Sequence, residues 1–461
     1  MVTNTPSSAI KDPPRTFWKS FRFLGPSLIL TATLVGSGEL IVTTRFGAEA
    51  GYAALWVILC ACVLKVAIQE ALGRYTISSG QTALSMLDSL PGPRFRAGWA
   101  VWFWLAVIVL GSIQLGGIAE VVGQSLTLVF EGTDTPMASW GPRTVWAPIV
   151  CGFALLMLLI GQYRMVENVS MVVVSLFSLS IIFCGVLIQT TSYAVTGADI
   201  VSGLKFELPS AGFGMALAIV GAVGLSATEL VYYPYWCLEK GYARWTGPRD
   251  ESPQWAERAK GWIRVMQLDC YFALVVYTTT TVAFYFLGAA ILNRKGLVPN
   301  GFEIVRTISH VYTETLGEWA YAVFLFSAFL VLFSTLFVTI ASYGRLLPDC
   351  LKLLGVLEHQ TEAGRKRWVR VCMTAWAVLF AVEAAVVQID PLLKIVLGLA
   401  GLVFLLPVVS FAAIYLRYRR LDSRIQPSIF LDVWLWASGI LSVLLTIYLL
   451  IDQIQRIVSA A

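Results

Sequence analysis

The chain has 461 residues, of which 57% are hydrophobic and only 13% charged, and its mean hydropathy is +0.75. Soluble domains carry about 25% charged residues, so this composition excludes a soluble enzyme or nucleic-acid binder and indicates an integral membrane protein. The net charge of +5 fits that reading, because the basic residues fall in connectors between apolar runs.

Residues 1–23 are polar, with Pro13-Pro14 and Lys11, Arg15, Lys19 and Arg22, and contain no apolar stretch of the kind a cleavable signal needs. They are expected to form a cytoplasmic tail. Beyond them, runs of roughly 18 or more apolar residues predict eleven spans, at about 24–48, 51–73, 98–128, 145–161, 167–189, 212–237, 266–291, 317–342, 369–388, 393–416 and 430–453. The fold class is therefore all-α.

Span 1 contains Val35-Gly36-Ser37-Gly38-Glu39-Leu40 at its middle. Glycine is a weak helix former, a carboxylate at that depth needs a partner, and broken backbone there must line a cavity or be buried in protein. The pattern returns in span 6 as Leu225-Ser226-Ala227-Thr228-Glu229-Leu230. Interrupted apolar segments at matching places in two halves point to a transporter's binding site. Spans 1 and 6 are five apart, which predicts two inverted five-helix repeats over 24–190 and 212–416, with an extra helix at 430–455. In the connector from Asn293 to Glu318, Phe302, Val305 and Ile308 recur every three residues and predict a short amphipathic helix.

Charge supports the count. With the N-terminus inside, one side receives 24 Lys and Arg and the other 7, the asymmetry expected of eleven helices with the N-terminus cytoplasmic and the C-terminus outside; the expected location is the plasma membrane. The eight cysteines lie mostly within apolar runs and read as small buried hydrophobes. Cys60 and Cys62 are two apart with no His nearby, which is neither a zinc nor a redox spacing. No Gly-x-x-x-x-Gly-Lys-[Ser/Thr] loop occurs, so no ATP-driven pump, enzyme or cofactor is expected.

Leu24-Gly25-Pro26-Ser27, Phe46-Gly47-Ala48-Glu49-Ala50-Gly51-Tyr52 and Leu55-Trp56-Val57 resemble the opening of NRAMP (natural resistance-associated macrophage protein) divalent-metal transporters. Ile118-Ala119-Glu120-Val121-Val122-Gly123, Gly161-Gln162-Tyr163-Arg164 and Gly221-Ala222 are similar in order and spacing. The resemblance implies the LeuT-type inverted-repeat fold and alternating access, with substrate held between spans 1 and 6. The chain departs from the family at its ligands. The first-span Asp-Pro-Gly-Asn stands here as Gly36, Ser37, Gly38 and Glu39, and the sixth-span Met-Pro-His-Asn as Ser226, Ala227, Thr228 and Glu229. The third-span acidic pair, which the resemblance places on a proton path, is Gly117 and Glu120, and the tenth-span Gln is Leu405.

The replaced set is Glu39 and Glu229 as metal-binding carboxylates, with Gly36, Ser37, Ser226 and Thr228 contributing hydroxyls and backbone carbonyls. Such hard oxygen donors suit Mg²⁺, Mn²⁺ or Ca²⁺ carried as substrate and select against soft metals. An organic cation or amino acid is the alternative, with Glu39 or Glu229 pairing an amine and Tyr232, Tyr233, Tyr235 and Trp236 stacking on it. A channel or sensor on the same fold is a third. The expected partners are a small ion or molecule and the lipid bilayer, without nucleic acid. Among the other charges, Glu39 could instead pair with Arg45 or Lys65, and Lys65 could cap a carbonyl. Glu70 is expected to reach water, Asp269 and Glu383 to mark span ends, and Lys394 to snorkel.

Overall fold

The structure is a computed structural model and describes residues 10–130, 141–161, 163–207, 220, 221, 223–299, 304–358 and 361–460. Within these the regular structure is helical, apart from a two-residue pairing of Arg94–Phe95 with Ala97–Gly98. Span 2 is Leu55–Ser79, span 3 Trp99–Phe130, span 5 Tyr163–Thr190 and span 7 Pro253–Asn293. Span 8 is Ala320–Leu353, span 9 Ala363–Val386, span 10 Pro391–Arg419 and span 11 Ile429–Ile451. The shorter apolar helix Thr144–Ile160 stands at the fourth predicted span. Span 1 is bent by 40° between Pro26–Leu34 and Gly38–Ala50. The described part of span 6 is Val220, Gly221 and the chain from Val223 into the helix Ala227–Lys240.

Two groups of helices position the site. Spans 6 and 7 each pack on spans 1 and 2, and span 3, the helix Thr144–Ile160, span 8 and span 9 pack on one another. The groups meet where span 8 lies along span 1. Span 10 lies on span 3, and span 11 packs against the second half of span 10 and against span 2. Large apolar side chains on the outward faces, such as Leu110, Ile160, Leu179, Phe183 and Leu444, are exposed. Leaving each in water forgoes about 1.5–3 kcal/mol, so this girdle is a bilayer-facing surface.

The amphipathic helix predicted after Asn293 is Ile304–Leu316, with Val305 and Ile308 on its buried face; Phe302 lies outside the described residues. Several charges differ from expectation. Lys394 does not snorkel: it is fully buried and bonds Glu120 at 2.9 Å. Glu70 does not reach water but is buried against Arg74 and Gln267. Asp269 is buried and caps span 1, accepting from the N–H groups of Gly25 and Ser27 at 2.7 Å each, since a helix start leaves N–H groups without partners. Glu383, by contrast, lies one turn from the end of span 9 as expected, and accepts from Ser112 Oγ.

Candidate functional site between the two breaks

Span 1 does not unwind at its break. It widens, with Val35–Thr43 π-helical between two α-helical pieces. A π turn shifts the hydrogen-bond register by one residue and leaves carbonyls to be satisfied from outside. Span 8 does this: Ser334 Oγ donates to Ala32 O at 2.9 Å and Thr335 Oγ1 to Thr33 O at 3.1 Å. Gly36 permits the approach, because a Cβ there would fall on the Thr335 hydroxyl and close to Val331 O. Further along, Thr43 and Thr44 donate to the carbonyls of Gly38 and Glu39 at 3.3 Å. The side chain of Ser37 lies outside the described residues.

Span 6 breaks differently. Val220 and Gly221 are helical, Val223–Leu225 are not, and a new helix begins at Ala227 with Ser226 as its N-cap. Gly224 makes the turn with φ +69°, against the backbone of Ala61 and Cys62 in span 2. The carbonyls freed there converge on one side chain: Lys65 Nζ donates to Val220 O at 3.0 Å, Gly221 O at 3.3 Å and Val223 O at 2.9 Å. Glu229 stands three residues after the N-cap and reaches back to the Ser226 N–H at 2.9 Å, one arm of a capping box. Its other oxygen accepts from Tyr232 Oη at 2.9 Å.

Both carboxylates line one cavity, together with Gly38, Ser226 and Thr228. Gly36 is not on its wall. Measured at the centres of water-sized spheres the cavity is about 30 Å³, where one water needs roughly 10–15 Å³. That is room for an ion with a water or two. Glu39 is fully buried and poorly satisfied. Its Oε1 is 3.1 Å from Thr281 Oγ1, which is also 2.7 Å from Tyr277 O and has one proton for the two, and Oε2 has no hydrogen-bond partner among the described residues. An ionised carboxylate accepts only, so Glu39 as placed calls for a proton or a cation.

The sequence reading missed several wall residues. Gln114 of span 3 lines the cavity with its Oε1 unpartnered among the described residues. Thr335, Thr339 and Tyr343 of span 8 add hydroxyls. Isolated polar residues in runs otherwise apolar were the available signal. Beside the breaks, the carbonyls of Ala32, Thr33, Gly38, Glu39 and Val223 already accept bonds from Ser334, Thr335, Thr43, Thr44 and Lys65, while the cavity wall offers side-chain oxygens. Among the described residues no three His, Cys, Asp or Glu side chains gather as a metal cluster.

Other candidates fall away from the cavity. Glu120 is buried beside Lys394. Gly117, the other half of that position pair, lies against Pro391 O and the Lys394 side chain, so span 10 fills the space an acidic side chain would need. Arg45 pairs with Glu49, not Glu39. Tyr233 contacts Cys270 Sγ and Trp236 carries Arg345 on its face. None of the four aromatic residues after the sixth break lines the cavity.

Comparison with known proteins agrees with this architecture. An uncharacterised protein of Pasteurella multocida is 24% identical over 82% of this chain and 81% of its own length. The divalent metal cation transporter MntH of Deinococcus radiodurans is 26% identical, over 50% of this chain and about half (48%) of that protein. The crystal structure of the Eremococcus coleocola manganese transporter superposes with a TM-score of 0.68 at 16% identity, covering 98% of this chain and 90% of that one. The fold is thus the LeuT-type inverted repeat of about eleven helices with the first and sixth broken. Residues 27–452 match the family model described as natural resistance-associated macrophage protein-like, and the chain belongs to that family.

Proposed function

We propose that the protein is a secondary transporter that carries a hard divalent cation, Mg²⁺ with Mn²⁺ or Ca²⁺ as competitors, by alternating access. Glu39 and Glu229 are its charged ligands, and Gln114, Ser226 and Thr228 supply neutral oxygens. The cation is cargo; no cofactor or enzymatic step is involved. The observation that carries this reading is the buried Glu39 carboxylate with an oxygen that no donor reaches among the described residues, in a cavity whose described wall offers oxygen donors and neither thioether nor imidazole. Mg²⁺ keeps several waters and takes one or two carboxylates, which suits two carboxylates and space for a water or two. The relatives named as divalent-metal and manganese transporters support the substrate class.

When no metal is bound, a proton on Glu39 lets it donate to Thr281 and relieves the repulsion of two facing carboxylates. The usual proton route of the family is not kept, because Glu120 is held by Lys394. The repeats divide at 24–190 and 212–416, the N-terminus is cytoplasmic and the C-terminus lies outside the plasma membrane. The cavity is too small for an amino acid and no aromatic side chain follows the sixth break onto its wall, which weighs against an organic substrate. Reconstituted in liposomes with a metal-sensitive dye inside, the protein should take up Mg²⁺ or Mn²⁺ but not Cd²⁺, and Glu39→Gln and Glu229→Gln should each abolish uptake. Undiminished uptake by both variants would remove the proposal.

A further inference from the structure

Lys65 is fully buried in span 2, and all three of its ammonium hydrogens are accounted for by the carbonyls of Val220, Gly221 and Val223. In a continuous helix those carbonyls would bond N–H groups four residues on; the turn at Val223–Leu225 removes that option. A cluster of freed carbonyls at a half-helix end is the arrangement that coordinates a small cation in broken transporter helices. Here the ligands converge at 2.9–3.3 Å on a nitrogen supplied by the chain itself.

We propose that the break in span 6 is a backbone-carbonyl site for a monovalent cation and that the Lys65 ammonium is its permanent, tethered occupant. Span 2 is shaped for the task. Its helix hitches at Lys65, between Leu55–Leu64 and Val66–Ser79, and Ser438 of span 11 takes up the Leu64 carbonyl freed by the hitch. Gly224 presses the turn onto span 2 at Ala61 and Cys62, three to four positions before the lysine. Two consequences follow. The broken conformation of span 6 persists without a co-bound free cation, and these three carbonyls are withheld from the cargo. The inference is independent of what the cargo is.

The test is thermal unfolding of the purified full-length protein in choline, Na⁺, K⁺ and methylammonium chloride at equal ionic strength, with no divalent metal. Wild type should unfold at the same temperature in all four. Lys65→Ala, which vacates the carbonyls, should unfold several degrees lower in choline and recover, saturably, in at least one of the small cations. Lys65→Met, which fills the space without charge, should stay low in every salt. Recovery of Lys65→Ala only when purified in a small cation is the same result in stronger form. The assignment is overturned if Lys65→Met is as stable as wild type, or if Lys65→Ala ignores cation identity. It is also overturned if neither variant can be recovered in any of the salts, since a free ion then cannot replace the ammonium.

Discussion

Glu39 and Glu120 are both fully buried carboxylates, and their surroundings give them opposite consequences on substitution. A buried acceptor without a donor costs about 1–3 kcal/mol, more when charged. Without a metal, Glu39 must bear that cost or take up a proton, so Glu39→Gln, which keeps the shape and cannot ionise, should leave the metal-free unfolding temperature unchanged or raised. Glu120 is bonded to Lys394, which also reaches the carbonyls of Glu383 and Ala384. Removing one partner of a buried pair costs about 3–5 kcal/mol. Lys394→Met should therefore lower stability strongly, and the double variant Glu120→Gln/Lys394→Met should regain most of the loss in a thermal or denaturant melt. A double variant no better than the single one would show that the ion pair is not what holds spans 3 and 10 together. Both carboxylates were legible as candidates, because charge at membrane depth is conspicuous in a sequence. Their partners were not. Thr281 and Lys394 lie 242 and 274 positions from the carboxylates they serve, and no local pattern joins them. Glu229 carried a local signal that was overlooked: Ser226-Ala227-Thr228-Glu229 spells a capping box, so its carboxylate holds the helix start as well as lining the cavity.

The two breaks use different local structure. Glycines at positions 36 and 38 and the buried Glu39 announced the first break, yet the backbone there widens into a π-helical stretch and stays hydrogen-bonded. What decides this is span 8, whose Ser334 and Thr335 hydroxyls supply donors to Ala32 and Thr33. A sequence shows that a helix is interrupted; it does not show which neighbour takes up the freed carbonyls. Gly36→Ala tests the contact. The added methyl would collide with the Thr335 side chain, and overpacking of this kind costs about 1–3 kcal/mol. Thr335→Ala in the same chain should restore part of the stability, read as unfolding temperature. An unaltered melt for Gly36→Ala would mean that span 8 is not packed against the break. Span 6 instead opens fully between Val223 and Leu225, where a positive-φ glycine sits against span 2 and a lysine gathers the carbonyls. Lys65 as a carbonyl cap was anticipated from its burial in an apolar run; that its three partners would be the sixth break itself was not.

Across the whole molecule the helix count, the family and the paired breaks were readable because they rest on composition, apolar run length and motif order. Which carbonyls remained for a ligand was not, since that depends on contacts between the two helix groups. The connectors that lead into spans 7 and 11 are tied by charge. Arg424 and Arg249 both bond Asp422, and Arg424 also reaches the carbonyls of Asp250 and Ser252. The hydrogen bonds from Arg424 hold the Asp422 carboxyl at about 2, below its ordinary 3.8. A carboxyl whose folded value is depressed adds stability that is complete above the unfolded value and is lost as pH falls through the folded one. Wild type should therefore exceed Asp422→Asn in unfolding temperature at pH 6, and the gap should narrow from about pH 4 downward and close near pH 2. A gap that persists at pH 2 would assign the difference to packing instead.

We propose that two carboxylates from two broken helices, Glu39 and Glu229, form one hard-cation site. Calorimetric titration of the purified protein with Mg²⁺, Mn²⁺ and Ca²⁺, repeated on Glu39→Gln, tests it most directly. Wild type should bind at least one of these ions saturably and the folded variant none. Equal binding by the variant would contradict it, as would a wild type silent to every metal that responds to an amino acid or a polyamine.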